Sequence, residues 1–385
     1  MKTNNIMFTK CFLIIVLFLN TFSTLAQELA LVRANDMFGY INTDGEYVIE
    51  PQFELAMSFS GSFAAVLQGK KWGFINTSGE WAIEPQYDKV KEFNSGYALV
   101  LKDDEWNYID ASNAILSTPV QEKYYDFNAD GVAFFRLEKK LGLLGTDGKL
   151  IIEPTFDVIK PFVDGYARVR NGDNWGMIDK KGKVFVQLEY SEIGDYNRAG
   201  IWARKGETFG VISDGEFNTI LGADKIWDFN NTSSLTYARS MKKVGFVNNK
   251  GEWIIEPTYK KVRAFSNGLA PVFKDKLWGY INEKGEEVTP FVFRDAEIFS
   301  KDGLAPVKEK KLWGFIDKTG KIVIPAEYVI TAGGLSIFSK DNLKGFYNGL
   351  ARVKLDDKWG FINTKGEVLG GKWFENAELF VNTQL

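Results

Sequence analysis

Ten times along this chain an aromatic or apolar residue stands at a nearly fixed interval, and glycine usually follows it. The pairs are Phe38-Gly39, Trp72-Gly73, Trp106-Asn107, Leu141-Gly142, Trp175-Gly176, Phe209-Gly210, Val244-Gly245, Trp278-Gly279, Trp313-Gly314 and Trp359-Gly360. Successive spacings are 34, 34, 35, 34, 34, 35, 34, 35 and 46 residues. This regularity constrains the fold more than any other feature. A unit of about 34 residues cannot bury a stable core alone, so each copy must be sealed by its neighbours. The length of 385 residues would otherwise suggest two or so independent domains.

Within each copy the residue types keep phase. A short apolar segment such as Gly96-Tyr97-Ala98-Leu99-Val100 precedes a charged loop, for example Lys102-Asp103-Asp104. The anchor strand follows, as in Trp72-Gly73-Phe74-Ile75-Asn76, then a turn, then a third apolar segment such as Trp81-Ala82-Ile83. The turn reads Asn42-Thr43-Asp44-Gly45, Asn76-Thr77-Ser78-Gly79, Asp179-Lys180-Lys181-Gly182, Asn282-Glu283-Lys284-Gly285, Asp317-Lys318-Thr319-Gly320 and Asn363-Thr364-Lys365-Gly366. Asn or Asp at its first position can accept hydrogen bonds from amides just downstream, and Gly at its fourth accepts a left-handed conformation. The flanking segments are rich in β-branched and aromatic residues and show no sustained helical period, so each copy predicts a β-hairpin with an additional strand. Proline follows the third segment at Pro51, Pro85, Pro119, Pro154, Pro257, Pro290 and Pro325, which predicts that strand pairing stops there.

The first 26 residues predict a different fate. Lys2 and Lys10 precede an apolar run from Cys11 to Leu19, and Thr24-Leu25-Ala26 ends on a small residue, which is the pattern of a secretory signal cut before Gln27. Cleavage removes the one cysteine, and the chain has no histidine. Cys-His and Ser-His-Asp catalysis, disulfides and His or Cys metal sites are thereby excluded. Taking Lys2 and Lys10 from 47 basic residues against 50 acidic ones leaves a formal charge of −5. That balance does not suit nucleic acid, which demands concentrated positive charge. The expected product of residues 27–385 is exported to the envelope or the medium, does not span a membrane and uses no cofactor.

The block Lys71-Trp72-Gly73-Phe74-Ile75-Asn76, with Gly79, Ile83-Glu84-Pro85, Phe93 and Gly96-Tyr97-Ala98, closely resembles the bacterial WG repeat family, also called KWG repeats. The resemblance spans the chain from about Leu29 onward and implies a β-rich tandem array of secreted or envelope-associated type. It implies no reaction or catalytic residue. The favoured architecture is all-β, an open superhelical stack of ten units, because the first and last copies start and stop in the same phase. The alternative is a β-propeller-like ring, or two rings. Atypical copies over residues 183–235 suggest a lobe junction, and the extra residues at about 330–345 suggest an insertion before the last copy.

For function, the expectation is a non-catalytic binding or scaffolding protein that presents an extended surface to a protein or envelope partner. Trp72, Gly73, Trp175, Gly176, Trp278, Gly279, Trp313, Gly314, Trp359 and Gly360 are read as structural anchors. A glycan-binding alternative would use Trp81, Trp202, Trp227, Trp253 and Trp373, which lie outside the anchor position. A carboxylate-only hydrolase is a further alternative. However, Glu50, Glu84, Glu153 and Glu256 recur periodically, as an active site should not.

Overall fold

The computed structural model describes residues 27–331 and 344–383. Residues 1–26, for which the sequence predicts a secretory signal, and residues 332–343, most of the expected insertion, lie outside the described residues. Ten antiparallel sheets make up the described chain, one per anchor, and we number the units 1 to 10 by that anchor.

Unit 2 shows the complete plan. Its sheet runs, in order, Leu55–Ala56, Ala64–Gln68, Lys71–Ile75 and Trp81–Tyr87. The expected hairpin with its additional strand is present, and a two-residue linking strand adds a fourth. The turn after the anchor strand follows the sequence reading closely. Asn76 Oδ1 accepts from the amides of Ser78 and Glu80, each at 3.0 Å, and Gly79 has φ +85°. Beyond Trp81–Tyr87, Asp88 alone separates the strand from Lys89–Val90, which pairs with the sheet of unit 3. Units 1, 4, 5 and 7 likewise deliver the chain through one residue into the next sheet.

The proline does not end the strand. Pro51, Pro85, Pro154, Pro257 and Pro325 all lie inside their strands. Trp72 pairs with Tyr87 but Phe74 pairs with Ile83, so Gly73 alone opposes three residues of the neighbouring strand, Glu84, Pro85 and Gln86. The surplus, around Glu84-Pro85, bulges across the anchor strand, and a bulge is where a residue without an amide proton is tolerated. Gly73 is required beneath it. A Cβ there would lie 2.6 Å from the Ile83 carbonyl oxygen and 2.8 Å from the Pro85 nitrogen. The same close approach occurs at Gly39, Gly142, Gly176, Gly245 and Gly314.

Apolar side chains are buried between sheets. Ten clusters of buried residues occur among the described residues, and each joins one unit to the next. In one, Phe74, Ile83 and Tyr87 of unit 2 pack on Phe93, Val100 and Ile109 of unit 3. An open stack of ten units would have nine such interfaces. The tenth joins Phe361 and Phe374 of unit 10 to Val32 and Ile41 of unit 1.

The chain therefore closes into a ten-bladed, propeller-like ring, the alternative architecture; the open stack is not what forms. In unit 1 the place of the linking strand is taken by a segment from the other end of the described chain. Asn376–Ala377 fills that place by pairing with Arg33 and Val32, and Val381–Asn382 pairs with Leu29 and Glu28. Ending in the same phase as it began made the chain look unlatched, yet that phase lets the last linking stretch complete the first sheet. Residues 183–235 continue the ring: they supply the last strand of unit 5, the whole four-stranded sheet of unit 6 and the first strand of unit 7, and unit 6 packs on both neighbours. Among the described residues no helix is long and apolar enough to cross a membrane.

Candidate functional site

The sequence-predicted anchors are distributed around the ring, one per blade, and their side chains are spent on it. Trp278 and Trp313 are buried, and Trp72, Trp175 and Trp359 are half-buried. Gly176 and Gly314 lie under bulge carbonyls, as Gly73 does, whereas Gly279 lies under the Phe291 ring and Gly360 under the Trp373 ring.

The five tryptophans proposed for surface contacts are not brought together either, and each is half-buried with partners of its own. Trp81 meets Phe53 edge-on at 6.3 Å, and Trp373 covers Gly360. Trp202 Nε1 donates to Asp228 at 2.8 Å, and Trp253 Nε1 donates to the Leu221 carbonyl at 3.0 Å. Trp227 stacks on Tyr237 at 4.8 Å with Lys225 above its face. The glutamates before proline, Glu50, Glu84, Glu153 and Glu256, are exposed on four separate blades. Among the described residues no group of three or more carboxylates could hold a metal ion.

A site emerges instead where one unit departs from the pattern. Unit 3 has Asn107 in place of the anchor glycine, and its sheet has three strands, Lys89–Val90, Ala98–Lys102 and Glu105–Ile109. Asn107 stands at the chain position over which the Glu-Pro bulge folds in unit 2, and it lines the cleft described below. The residue fifteen after the anchor, an aromatic such as Phe53, Tyr87, Phe156 or Tyr190 in other units, is here Gln121. Gln121 is buried beside the Tyr108 hydroxyl, yet its side-chain amide makes no hydrogen bond of ordinary geometry. Own-chain pairing with the anchor strand stops after Ile115 bridges Ile109 and the Leu116 amide reaches the Tyr108 carbonyl at 2.9 Å.

The fourth strand is missing, and a cleft of about 960 Å³ opens in its place. Trp106, Tyr124 and Tyr125 form its aromatic wall, all half-buried. Asp104, Glu105, Glu122 and Asp126 line it with carboxylates, against Lys91 and Lys123. Lys123 sits 4.7 Å above the Tyr125 ring, and Glu122 faces Arg136 at 3.7 Å. Asp104, Glu105 and Asp126 form no ion pair among the described residues. Tyr108 beneath the cleft is held rigidly: its hydroxyl donates to the Tyr125 carbonyl at 2.6 Å, and burial pushes its ionisation well above the ordinary tyrosine range. Sequence reasoning missed this cleft, although Trp106-Asn107 is the only anchor pair without glycine.

Comparisons with known proteins bear on the fold and the family. The family described as WG containing repeat matches residues 38–72, 72–106, 142–175, 175–207, 245–278, 278–313, 313–329 and 341–359, more than half of the chain. The match omits residues 107–141, which supply six of the eleven residues lining the cleft, and also residues 208–244. No curated protein matches the sequence. A crystal structure of the eukaryotic initiation factor superposes with a TM-score of 0.52 at 11% identity, over 93% of this chain and 99% of that one. That likeness shows the fold alone. Kluyveromyces lactis Hsv2 aligns over 63% of this chain and 91% of that one, at 12% identity and a TM-score of 0.30. PorZ, a surface component of the type-IX secretion system of Porphyromonas gingivalis, aligns over 91% of this chain and 58% of that one, at 10% identity and a TM-score of 0.27.

Proposed function

Because this chain belongs to the WG containing repeat family, we propose that it is an exported, non-catalytic binding or scaffolding ring that receives a protein or envelope polymer. The observation that carries the reading is the acid-lined, aromatic-walled cleft of unit 3, opened where the repeat gives up its own strand. The repeated side chains support the ring, and this departure supplies a surface that ring stability does not explain. Preformed concave sites with aromatic walls and a few polar groups are the usual setting for binding. The leader supports export, so the mature protein should begin at Gln27; a cell-retained product that still carries Met1 would overturn that part.

The binding test is photocrosslinking in the native envelope. A photoreactive residue at Tyr124, in the cleft, should give a discrete adduct. The same residue at Met241, 90% exposed on unit 7, serves as control and should give none. Absence of an adduct at Tyr124, or equal labelling at both sites, would overturn the reading. Glycan binding remains a second reading, favoured by one observation: Trp106, Tyr124 and Tyr125 share the cleft wall, and sugar rings stack on aromatic faces. A glycan adduct in place of a protein one would select it.

A further inference from the structure

The cleft has a polarity, and that polarity names an occupant. In the two-residue hairpin of unit 3, Lys102 pairs with Glu105 and Trp106 with Leu101. Asp103 and Asp104 both have positive φ, +51° and +64°, as the tight turn requires. Lys102 and Glu105 then close the hairpin, so the amide and carbonyl of Trp106 point outward, toward the place of the fourth strand. In every other unit that outward edge is taken. Trp72 pairs with Tyr87, Trp175 with Tyr190 and Trp313 with Tyr328, and Trp278 and Trp359 exchange backbone hydrogen bonds with Phe293 and Phe374. Among the described residues, Trp106 has no such partner on this edge.

We propose that unit 3 takes an extended, basic segment of a partner protein as its fourth strand, paired to the backbone of Trp106 and held by the carboxylates of the cleft. The proposal rests on the binding reading above and gives it a partner chemistry. Three observations fit together. An outward-facing strand edge is a template for another chain, since its amide and carbonyl are already aligned for pairing. Asn107 excludes the chain's own bulged strand by its bulk, whereas a straight strand need not cross the anchor and meets no such obstacle. Around this edge Asp104, Glu105 and Asp126 are unpaired, and four carboxylates outnumber two lysines, so lysine or arginine side chains on alternate positions of the added strand find complementary charge.

The experiment uses the whole mature protein and three blocked octapeptides. One alternates Lys and Val, one alternates Glu and Val, and one is the Lys-Val peptide N-methylated on alternate amides, which keeps the charge but removes strand pairing. Isothermal titration should show saturable binding of the Lys-Val peptide, about tenfold or more weaker after N-methylation, absent for Glu-Val, and weakened by salt. Amide exchange at Trp106 should slow on binding. The double variant Glu105→Lys, Asp126→Lys should lose about tenfold or more in affinity with its melting midpoint unchanged. Equal binding of the N-methylated peptide would overturn strand addition, leaving charge alone. Displacement of the peptide by chitin or cellulose oligosaccharides would overturn it in favour of a sugar. A discrete crosslink at Tyr124 with no binding of any basic peptide would overturn this proposal while sparing the binding reading on which it rests.

Discussion

Units 2 and 3 stand next to each other in the ring and begin with the same tryptophan, yet one carries four strands and the other three. The difference begins with one residue after the indole. In unit 2, Gly73 leaves room for the backbone of Ile83-Glu84-Pro85 to lie within 2.8 Å of where a Cβ would be. In unit 3, Asn107 stands at that position, and the aromatic that should cover the anchor is Gln121. The pairing of glycine with a downstream Glu-Pro is thus a steric contract between two strands, and breaking one side of it releases the other. What the repeat treats as an irregularity, the ring turns into a cleft. The interface between the two units nevertheless survives, because Val90, Phe93, Val100 and Ile109 come from the strands that unit 3 keeps.

The comparison can be broken most forcefully at the indole. Trp278, in a unit whose anchor edge is sealed by Phe293, is 7% exposed, so Trp278→Ala should cost about 3–5 kcal/mol. Trp106 is half-buried at an unsealed edge, and Trp106→Ala should cost distinctly less. Chemical denaturation of the two variants decides it; equal losses would show that the missing strand does not change what the anchor contributes. A smaller effect follows from moving the glycine rule between units. Gly73→Asn places a side chain against the Ile83 carbonyl and the Trp81 ring, and should cost about 1–3 kcal/mol by overpacking. Hydrogen exchange should show residues 81–87 losing protection while Lys71–Ile75 keeps it. If the whole ring loosens instead, the fourth strand is not a separable part of its blade.

Much of this was legible in the residues, and the limits are instructive. The turn was readable because its chemistry is local: Asn76 reaches amides two and four residues on, and Gly79 supplies the positive φ that its own backbone needs. The role of proline was not readable, since pairing with a surplus of residues depends on the neighbouring strand, and Pro85 can bulge only because Gly73 lies opposite. Closure was not readable for a related reason. Asn376–Ala377 and Arg33 are over 340 residues apart, and nothing local in either segment shows that they pair. The cleft was half-legible: Asn107 breaks the anchor pattern openly, but only the geometry of the other blades shows what that glycine was admitting.

The finest contrast between the two units is electrostatic. Unit 2 starts its turn with Asn76, which does not titrate, and unit 3 starts the equivalent turn with Asp110. The Ser112 hydroxyl donates to Asp110 Oδ1 at 2.7 Å and the Ala114 amide at 2.9 Å, and these bonds hold the carboxyl below its usual range. Both favour the charged form, so folding and proton binding oppose each other here. The turn's contribution is therefore fully present above the unfolded aspartate value, about 3.9, and is lost as pH falls through the lower, folded one. Acidification should increase exchange at Ser112 and Ala114 before it affects Ser78 and Glu80, whose acceptor is an amide oxygen. Asp110→Asn should remove that selectivity and leave neutral-pH stability nearly unchanged, because the amide oxygen can accept the same bonds. Should the two turns loosen together in acid, or should the asparagine variant remain as acid-sensitive as its parent, the carboxylate is not what sets the difference between them.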